Sequence, residues 1–264
     1  MYAEVHEVIT LSPTLLRVVL TGGTLSQFEG SDATDAYINA QFLPADSPVT
    51  VPFEADDLDG LDPSMRPRPR RFTIRKWDAE QQRLDIDFVS HGEHGYAGAW
   101  AKRAQPGDRL QFKGPGGSYR PSDTVDWHLF VGDESAFGAI GASLDSLPAS
   151  SRALVFAIVD DDEHEIDFPS TADVTVHWLH RSTAADPETV LAETVADATF
   201  PEGSFDVFVH GEASEVRSVR KHLVAERGVD PDRASISAYW RRNHTDEDWR
   251  RVKREWMMAQ SRDV

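Results

Sequence analysis

Near residue 124 the apolar rhythm of the chain changes, and this change constrains the fold more than any single motif. Before it, short runs rich in Val, Ile and Leu are separated by Gly, Pro and Asp turns. They are Glu4–Thr10, Leu15–Thr21, Ala36–Leu43, Arg71–Trp77, Arg83–Ser90 and Arg109–Lys113. Runs of this length and make-up read as strands. Strands at this spacing predict a sandwich or a small barrel. One helix interrupts them over Ala97–Ala104, with Gly95 before it and Pro106-Gly107 after it. Beyond the change, apolar runs alternate with helix-like stretches. The runs are Trp127–Val131, Ala153–Val159, Val174–Leu179, Phe205–His210 and Ala234–Tyr239. The helical stretches are Ser135–Leu147, Pro187–Ala196 and Glu215–Arg227. Alternation of this kind predicts βαβ units and a parallel sheet covered on both faces. A last helix near Asp246–Met258 sets Trp249, Val252 and Trp256 on one face for docking. The expected fold is an N-terminal antiparallel β-barrel over residues 1–122. An α/β parallel-sheet domain with a C-terminal helix follows over residues 123–264.

Composition narrows function by exclusion. The chain has no cysteine, so disulfides, Cys-ligated metal, iron–sulfur clusters and a Cys nucleophile are out. It has no apolar run of about 18 residues to span a membrane. The first residues, MYAEVHEVIT, are acidic and alternating, unlike a signal peptide. A cytoplasmic protein is expected. A formal charge of −18 argues against nucleic-acid or anionic-membrane binding.

The charge is uneven, at net −5 over residues 1–124 and −13 over the rest. Against it stands the window Pro63–Trp77, with Arg66, Arg68, Arg70, Arg71, Arg75 and Lys76 and no acid. These cations lie on or beside a strand. An arginine fork there suits a phosphate, although solvated surface charge is the competing reading. A second cluster holds Arg241, Arg242, Arg250, Arg251, Lys253 and Arg254. Ligands of open α/β sheets bind beyond the carboxyl ends of the strands, here the loops after Val131, Val159 and His210. The first loop is Gly132-Asp133-Glu134-Ser135, where Asp133 or Ser135 is a candidate helix cap. It is not a G-x-G-x-x-G fingerprint. The acidic stretch Asp160–Glu165 reads as a solvated loop rather than a metal site.

Several segments carry a resemblance. RRFT at Arg70–Thr73 resembles the Arg-x-Tyr-Ser/Thr strand of ferredoxin-reductase-like flavoproteins, which pair a barrel with a parallel-sheet domain. DFVSHGEHGYAGAWA at Asp87–Ala101 is similar to the DFV-x-HG-x-x-GPA-x-x-WA segment of the siderophore-interacting protein family. GPGGSY at Gly114–Tyr119, GDESAFGAI at Gly132–Ile140, HGEASEVRSVRKHL at His210–Leu223 and AYWRRN at Ala238–Asn243 resemble further segments of that family, in the same order.

The resemblance implies an FAD-dependent reductase. It would pass electrons from NAD(P)H through flavin to the Fe(III) of a ferric siderophore, releasing Fe(II). Arg70 would neutralise the FAD pyrophosphate. Phe72 would stand where the family has Tyr, and Thr73 beside the flavin ring, with no acid or base assigned. Asp87, Val89, His91, Gly92, Gly95, Ala97, Trp100, Ala101, Gly117 and Ser118 would complete the cofactor contacts. Asp133, Glu134 and Ser135 would line the nicotinamide-nucleotide side, and Tyr239 and Trp240 would cover the flavin. Arg241, Arg242 and Lys253 would meet an anionic siderophore, and no metal site is implied. Arg181 and Arg217 are candidates for a 2′-phosphate. The chain departs from the family at Gly95-Tyr96-Ala97, at Ala238 and Asn243, and at Asn39, where the family commonly has Lys. Two other functions stay open: the same flavoprotein reduced by ferredoxin, and a non-catalytic siderophore or flavin carrier.

Overall fold

The computed structural model describes residues 1–90 and 95–260. It divides into two units. Met1–Arg120 with Gly138–Ser143 form one, and Pro121–Phe137 with Leu144–Val264 form the other.

The first unit is a closed barrel. Its strands are β1 (Tyr2–Ser12), β2 (Leu15–Thr21), β3 (Tyr37–Phe42), β4 (Arg68–Asp78), β5 (Arg83–Val89) and β6 (Arg109–Gly116). They pair in the order β1-β2-β5-β4-β3-β6 and close on themselves. Period-two alternation decides what lies inside. On β3, Ile38, Ala40 and Phe42 are buried, while Tyr37, Asn39 and Gln41 face out. Val18, Leu20, Ile74, Ile86, Phe88 and Phe112 fill the same interior. Each such side chain contributes roughly 1.5–3 kcal/mol by leaving water. A sheet closed into a barrel has no free edge, so neither a sandwich nor edge protection is needed. Strand β4 begins at Arg68, three residues before the apolar signal, so most of the cationic window is itself strand. The short helix α1 (Ala97–Arg103) lies against β5, and a Cβ on Gly98 would come within 3.0 Å of the Val89 carbonyl oxygen.

The second unit carries a parallel sheet. Its elements are β7 (Trp127–Asp133), β8 (Arg152–Val159), β9 (Asp173–His180), α3 (Val190–Asp197), β10 (Phe205–Glu212), α4 (Ala213–Ala225), β11 (Ser235–Trp240) and α5 (Asp246–Gln260), with α2 (Phe137–Ser146) following β7 in the chain and its residues Gly138–Ser143 counted in the first unit. The strand order is β11-β10-β7-β8-β9. The chain adds β8 and β9 on one side of β7, then crosses to add β10 and β11 on the other. The switch point is therefore the gap between the carboxyl ends of β7 and β10. Strand β7 is buried along its whole length, as its apolar run requires, whereas the edge strand β9 alternates between exposed and half-buried up to Leu179, which is buried. Trp249 of α5 is buried against Ala213 and Ala238, with Val252 and Trp256 beside it. Its Nε1 donates to the Tyr239 carbonyl oxygen at 3.1 Å.

One expectation fails here. Neither Asp133 nor Ser135 caps α2: the helix starts at Phe137, and the residue before it, Ala136, makes no side-chain cap. Asp133 instead accepts from the backbone and hydroxyl of Ser135 in the loop itself.

Candidate functional site

On the barrel, the predicted flavin residues cluster around β4. Alternation sets Arg68, Arg70, Phe72 and Ile74 on one side of the strand and Arg71, Thr73 and Arg75 on the other. Arg70 Nη1 donates to the Pro69 carbonyl oxygen at 2.9 Å. The guanidinium carbons of Arg68 and Arg70 each lie 5.8 Å from the centre of the Tyr96 ring, just before α1. Two like charges therefore share one aromatic ring. Arg68 Nε is also buried with no hydrogen-bond partner. A buried donor without an acceptor costs about 1–3 kcal/mol, so the geometry calls for an anion. A pyrophosphate between two guanidiniums supplies one, and the residues present fit FAD.

The other barrel residues divide by role. Phe72 is half-buried in an aromatic group, 4.3 Å from Phe88 and 6.0 Å from Phe42 between ring centres. Trp100 packs 5.7 Å from Phe42 and 5.8 Å from Phe88, and Ala101 is fully buried, so both serve the core, with Ala97 packed against it. Thr73 pairs with Tyr37 across β4 and β3. A Cβ on Gly138 would lie 3.6 Å from the Thr73 Cβ. The Asp87 carboxylate is taken by Arg17, its register partner on β2, in a two-pronged pair at 2.7 and 2.9 Å. Val89 ends β5, and Gly95 has φ of +84° before α1. Gly117 sits in a turn held by Asp35 Oδ1, which accepts from Ser118 N and Tyr119 N at 2.8 Å each. His91 and Gly92 lie outside the described residues.

On the sheet, the switch point gathers charge. Asp133 ends β7 and is almost wholly buried. Its Oδ2 accepts from Glu212 N and from Trp240 Nε1, both at 2.8 Å. Glu212 ends β10 and caps α4, its Oε2 accepting from Ser214 N at 2.6 Å and Glu215 N at 3.1 Å. Its Oε1 accepts from Arg242 N at 3.0 Å. Arg181, just beyond β9, faces three acids: Glu215 at 3.5 Å, and Glu134 and Asp160 at 3.6 Å. Burial pushes the carboxyls of Glu134 and Glu215 each up to about 7, with Asp133 adding to both and Arg181 opposing. Both acids therefore change charge near neutral pH. Arg217 lies on α4.

The predicted substrate cations are partly used up. Arg242 bonds Glu188 Oε1 at 3.0 Å and Glu215 Oε1 at 3.1 Å. Lys253 Nζ stands 5.9 Å from the Trp249 ring. Arg241 is half-buried. Between ring centres, Tyr239 packs 4.7 Å from His210, which also stacks on Phe208 at 4.0 Å. Burial, with Lys253 nearby, drives the His210 imidazole down to about 3, so it is neutral at ordinary pH. In the acidic loop, Asp161 pairs with His164 and Glu165 with His180. No group of three metal-ligand side chains forms among the described residues.

The fold thus brings Asp133, Glu134, Ser135, Trp240 and Arg242 together with Arg181, Glu212 and Glu215. Sequence reasoning overlooked the last two, although their spacing is that of a capping box. It named Arg68 only as one of the six cations of the window, and Tyr96 only as a departure from the family. Arg68 was legible, because it stands two residues before Arg70 on the same strand face.

Known proteins resemble both units of the chain. Residues 4–119 match the family model described as siderophore-interacting FAD-binding domain, and residues 125–243 the one described as siderophore-interacting protein. The ferric vibriobactin reductase ViuB of Vibrio cholerae is 37% identical over 244 residues, covering 90% of this chain and 88% of that protein. The NADPH-dependent ferric-chelate reductase of Escherichia coli is 28% identical, covering 87% and 88%. Among solved structures, the siderophore-interacting protein SipS of Aeromonas hydrophila superposes with a TM-score of 0.82 at 29% identity, covering 98% of each chain. With matching models on both units and a 37% identical relative along nine-tenths of its length, the chain belongs to the siderophore-interacting protein family.

Proposed function

We propose that this protein is an FAD-dependent reductase that takes electrons from NAD(P)H and delivers them to the Fe(III) of a ferric siderophore, releasing Fe(II). The observation that carries the reading is the pair Arg68 and Arg70 over one Tyr96 ring, with Arg68 Nε buried and unpartnered. Similarity to a ferric vibriobactin reductase and to an NADPH-dependent ferric-chelate reductase supports the substrate class and the donor. The chemistry that bound FAD supplies is conversion of a two-electron input into single electrons.

The chain's own residues have simpler tasks. Arg68 and Arg70 would hold the pyrophosphate, beside the Tyr96 ring that both guanidiniums already face. Thr73 would stand beside the flavin ring. Asp133, Glu134 and Ser135, at the carboxyl end of β7, orient the nicotinamide nucleotide. No side chain need act as a general acid or base. We assign FAD to residues 1–122 and the nucleotide to residues 123–264. The setting we assign is the cytoplasm; no helix among the described residues is long and apolar enough to cross a membrane. A ferredoxin donor fits less well, because ferredoxins are acidic and this chain carries −18.

The test is the absorbance of the purified protein, followed by Fe(II) trapping with NADH, NADPH and reduced ferredoxin in turn. Flavin bands and nicotinamide-driven Fe(II) release are expected. A protein that neither carries FAD nor takes it up would overturn the reading.

A further inference from the structure

NADH and NADPH differ only in a phosphate on the 2′ oxygen of the adenosine ribose. A protein therefore tells them apart by what it sets against that oxygen. In a dinucleotide-binding βαβ unit an acid beyond the second strand accepts from the ribose hydroxyl, or an arginine nearby takes the phosphate. Here β7, α2 and β8 form that unit, and the residue directly after β8 is Asp160. Its side chain is 59% exposed at the open end of the sheet. Backbone bonds fix its place: Arg181 N donates to the Val159 carbonyl oxygen and Ser182 N to that of Asp160, each at 2.9 Å. The ends of β8 and β9 are thus tied together while the Asp160 carboxylate stays open to solvent.

Arg181 is the cation that faces this acid, and it is already enclosed. Its side chain is only 14% exposed. Nη1 lies 3.6 Å from both Glu134 Oε2 and Asp160 Oδ1, and Nη2 lies 3.5 Å from Glu215 Oε2. Both prongs of the fork that would grip a phosphate therefore point at carboxylates. The neighbouring histidines are occupied in the same way. His180 Nε2 meets Glu165 Oε1 at 2.7 Å, and His164 Nδ1 meets Asp161 Oδ1 at 2.6 Å. Arg217 stands two residues beyond Glu215 on α4, about 200° round the helix, so it faces away from Arg181.

We propose that Asp160 accepts from the adenosine ribose hydroxyl and, with Arg181 withheld by Glu134 and Glu215, makes this chain select NADH over NADPH. The proposal rests on the reductase reading above for its nucleotide. A free hydroxyl donates to the carboxylate in a charge-assisted bond. A 2′-phosphate at the same rim meets an exposed carboxylate, with no guanidinium fork left to offset it. Like charges set against each other reject one of two otherwise identical ligands.

ADP-ribose and its 2′-phosphorylated form carry this difference without a nicotinamide, so they report binding alone. Their affinities for FAD-loaded wild type, Asp160→Ser and Arg181→Gln are measured by calorimetry, beside the rates of flavin reduction by NADH and NADPH. Wild type is expected to bind ADP-ribose about tenfold more tightly than the phosphorylated form, and Asp160→Ser to bind the two about equally. Arg181→Gln is expected to keep the tenfold gap. Bound FAD and the thermal midpoint report folding, and Asp160→Ser, at an exposed position, carries the test alone if Arg181→Gln does not fold. Absence of ADP-ribose binding, equal or tighter binding of the phosphorylated form by wild type, or an unchanged gap in Asp160→Ser overturns the assignment. So does a tenfold loss of the phosphorylated form in Arg181→Gln, which would make Arg181 its anchor. The expected binding pattern without flavin reduction by either nucleotide supports the role of Asp160 and overturns the reductase reading instead.

Discussion

Trp240 Nε1 donates to Asp133 Oδ2 at 2.8 Å, so the last strand of the parallel sheet is bonded to the end of its first strand, with β10 between them. Asp133 also accepts from Glu212 N and from the backbone and hydroxyl of Ser135. Four donors thus converge on two oxygens, and the loop after β7 takes its shape from them. Asp133→Asn sets an NH₂ group against N–H donors in a buried place. A loss of about 2–4 kcal/mol is expected, read as a lower urea midpoint with the slope retained. An unchanged midpoint would mean that the network is dispensable.

The flavin pair gives a separable prediction. Arg68→Ala and Arg70→Ala each remove one charge-assisted bond, worth roughly 1.5–3 kcal/mol. FAD affinity should fall about ten- to a hundredfold for either, followed by quenching of FAD fluorescence during titration. If Arg70→Ala alone weakens FAD, Arg68 has another partner when the site is filled.

Stability should depend on pH with a definite sign. Glu134 and Glu215 keep their protons up to about 7 in the folded chain, against an ordinary value of 4.5. Between those values the folded state binds more protons than the unfolded one. The contribution is therefore complete below about 4.5 and is lost as pH rises through about 7. Glu215→Gln should flatten that fall, seen by comparing urea midpoints at about pH 5 and about pH 8. A variant with the wild-type slope would place the protons elsewhere.

Gly211 has φ of +146°, and a Cβ there would lie 2.8 Å from Asp133 Oδ2. Gly211→Ala should cost about 1–3 kcal/mol through backbone strain and the crowded carboxylate. Thermal unfolding of the variant measures it. The same substitution at Gly107, whose added Cβ would meet nothing, separates strain from collision.

Much of the fold was legible along the chain. Alternation identified the six barrel strands and the five sheet strands, with ends displaced by only a few residues. The strand β2 was expected at Leu15–Thr21 and is found there. Strand spacing allowed a sandwich or a barrel, and the expected barrel is found; the pairing that closes it, β1 with β6 about 100 residues apart, was not legible. The cationic window was legible as a row of arginines on or beside a strand. Its division into Arg68 and Arg70 on one side and Arg71 on the other follows once β4 is known to start at Arg68.

What the sequence determined by itself was local: which residues alternate, which face each takes, where the rhythm changes, and which kind of side chain stands at each strand end. Tertiary structure alone decided the partners. Arg242, expected to meet substrate, is held by Glu188 and Glu215, which lie 54 and 27 positions away. Asp87, expected at the cofactor, is held by Arg17, 70 positions away. Arg181 meets Glu134, Asp160 and Glu215 from three different loops and helices. Periodicity encodes a face, because it arises from bond geometry within a few residues. A charge pair arises from strand register and chain crossings, which no short window of residues contains.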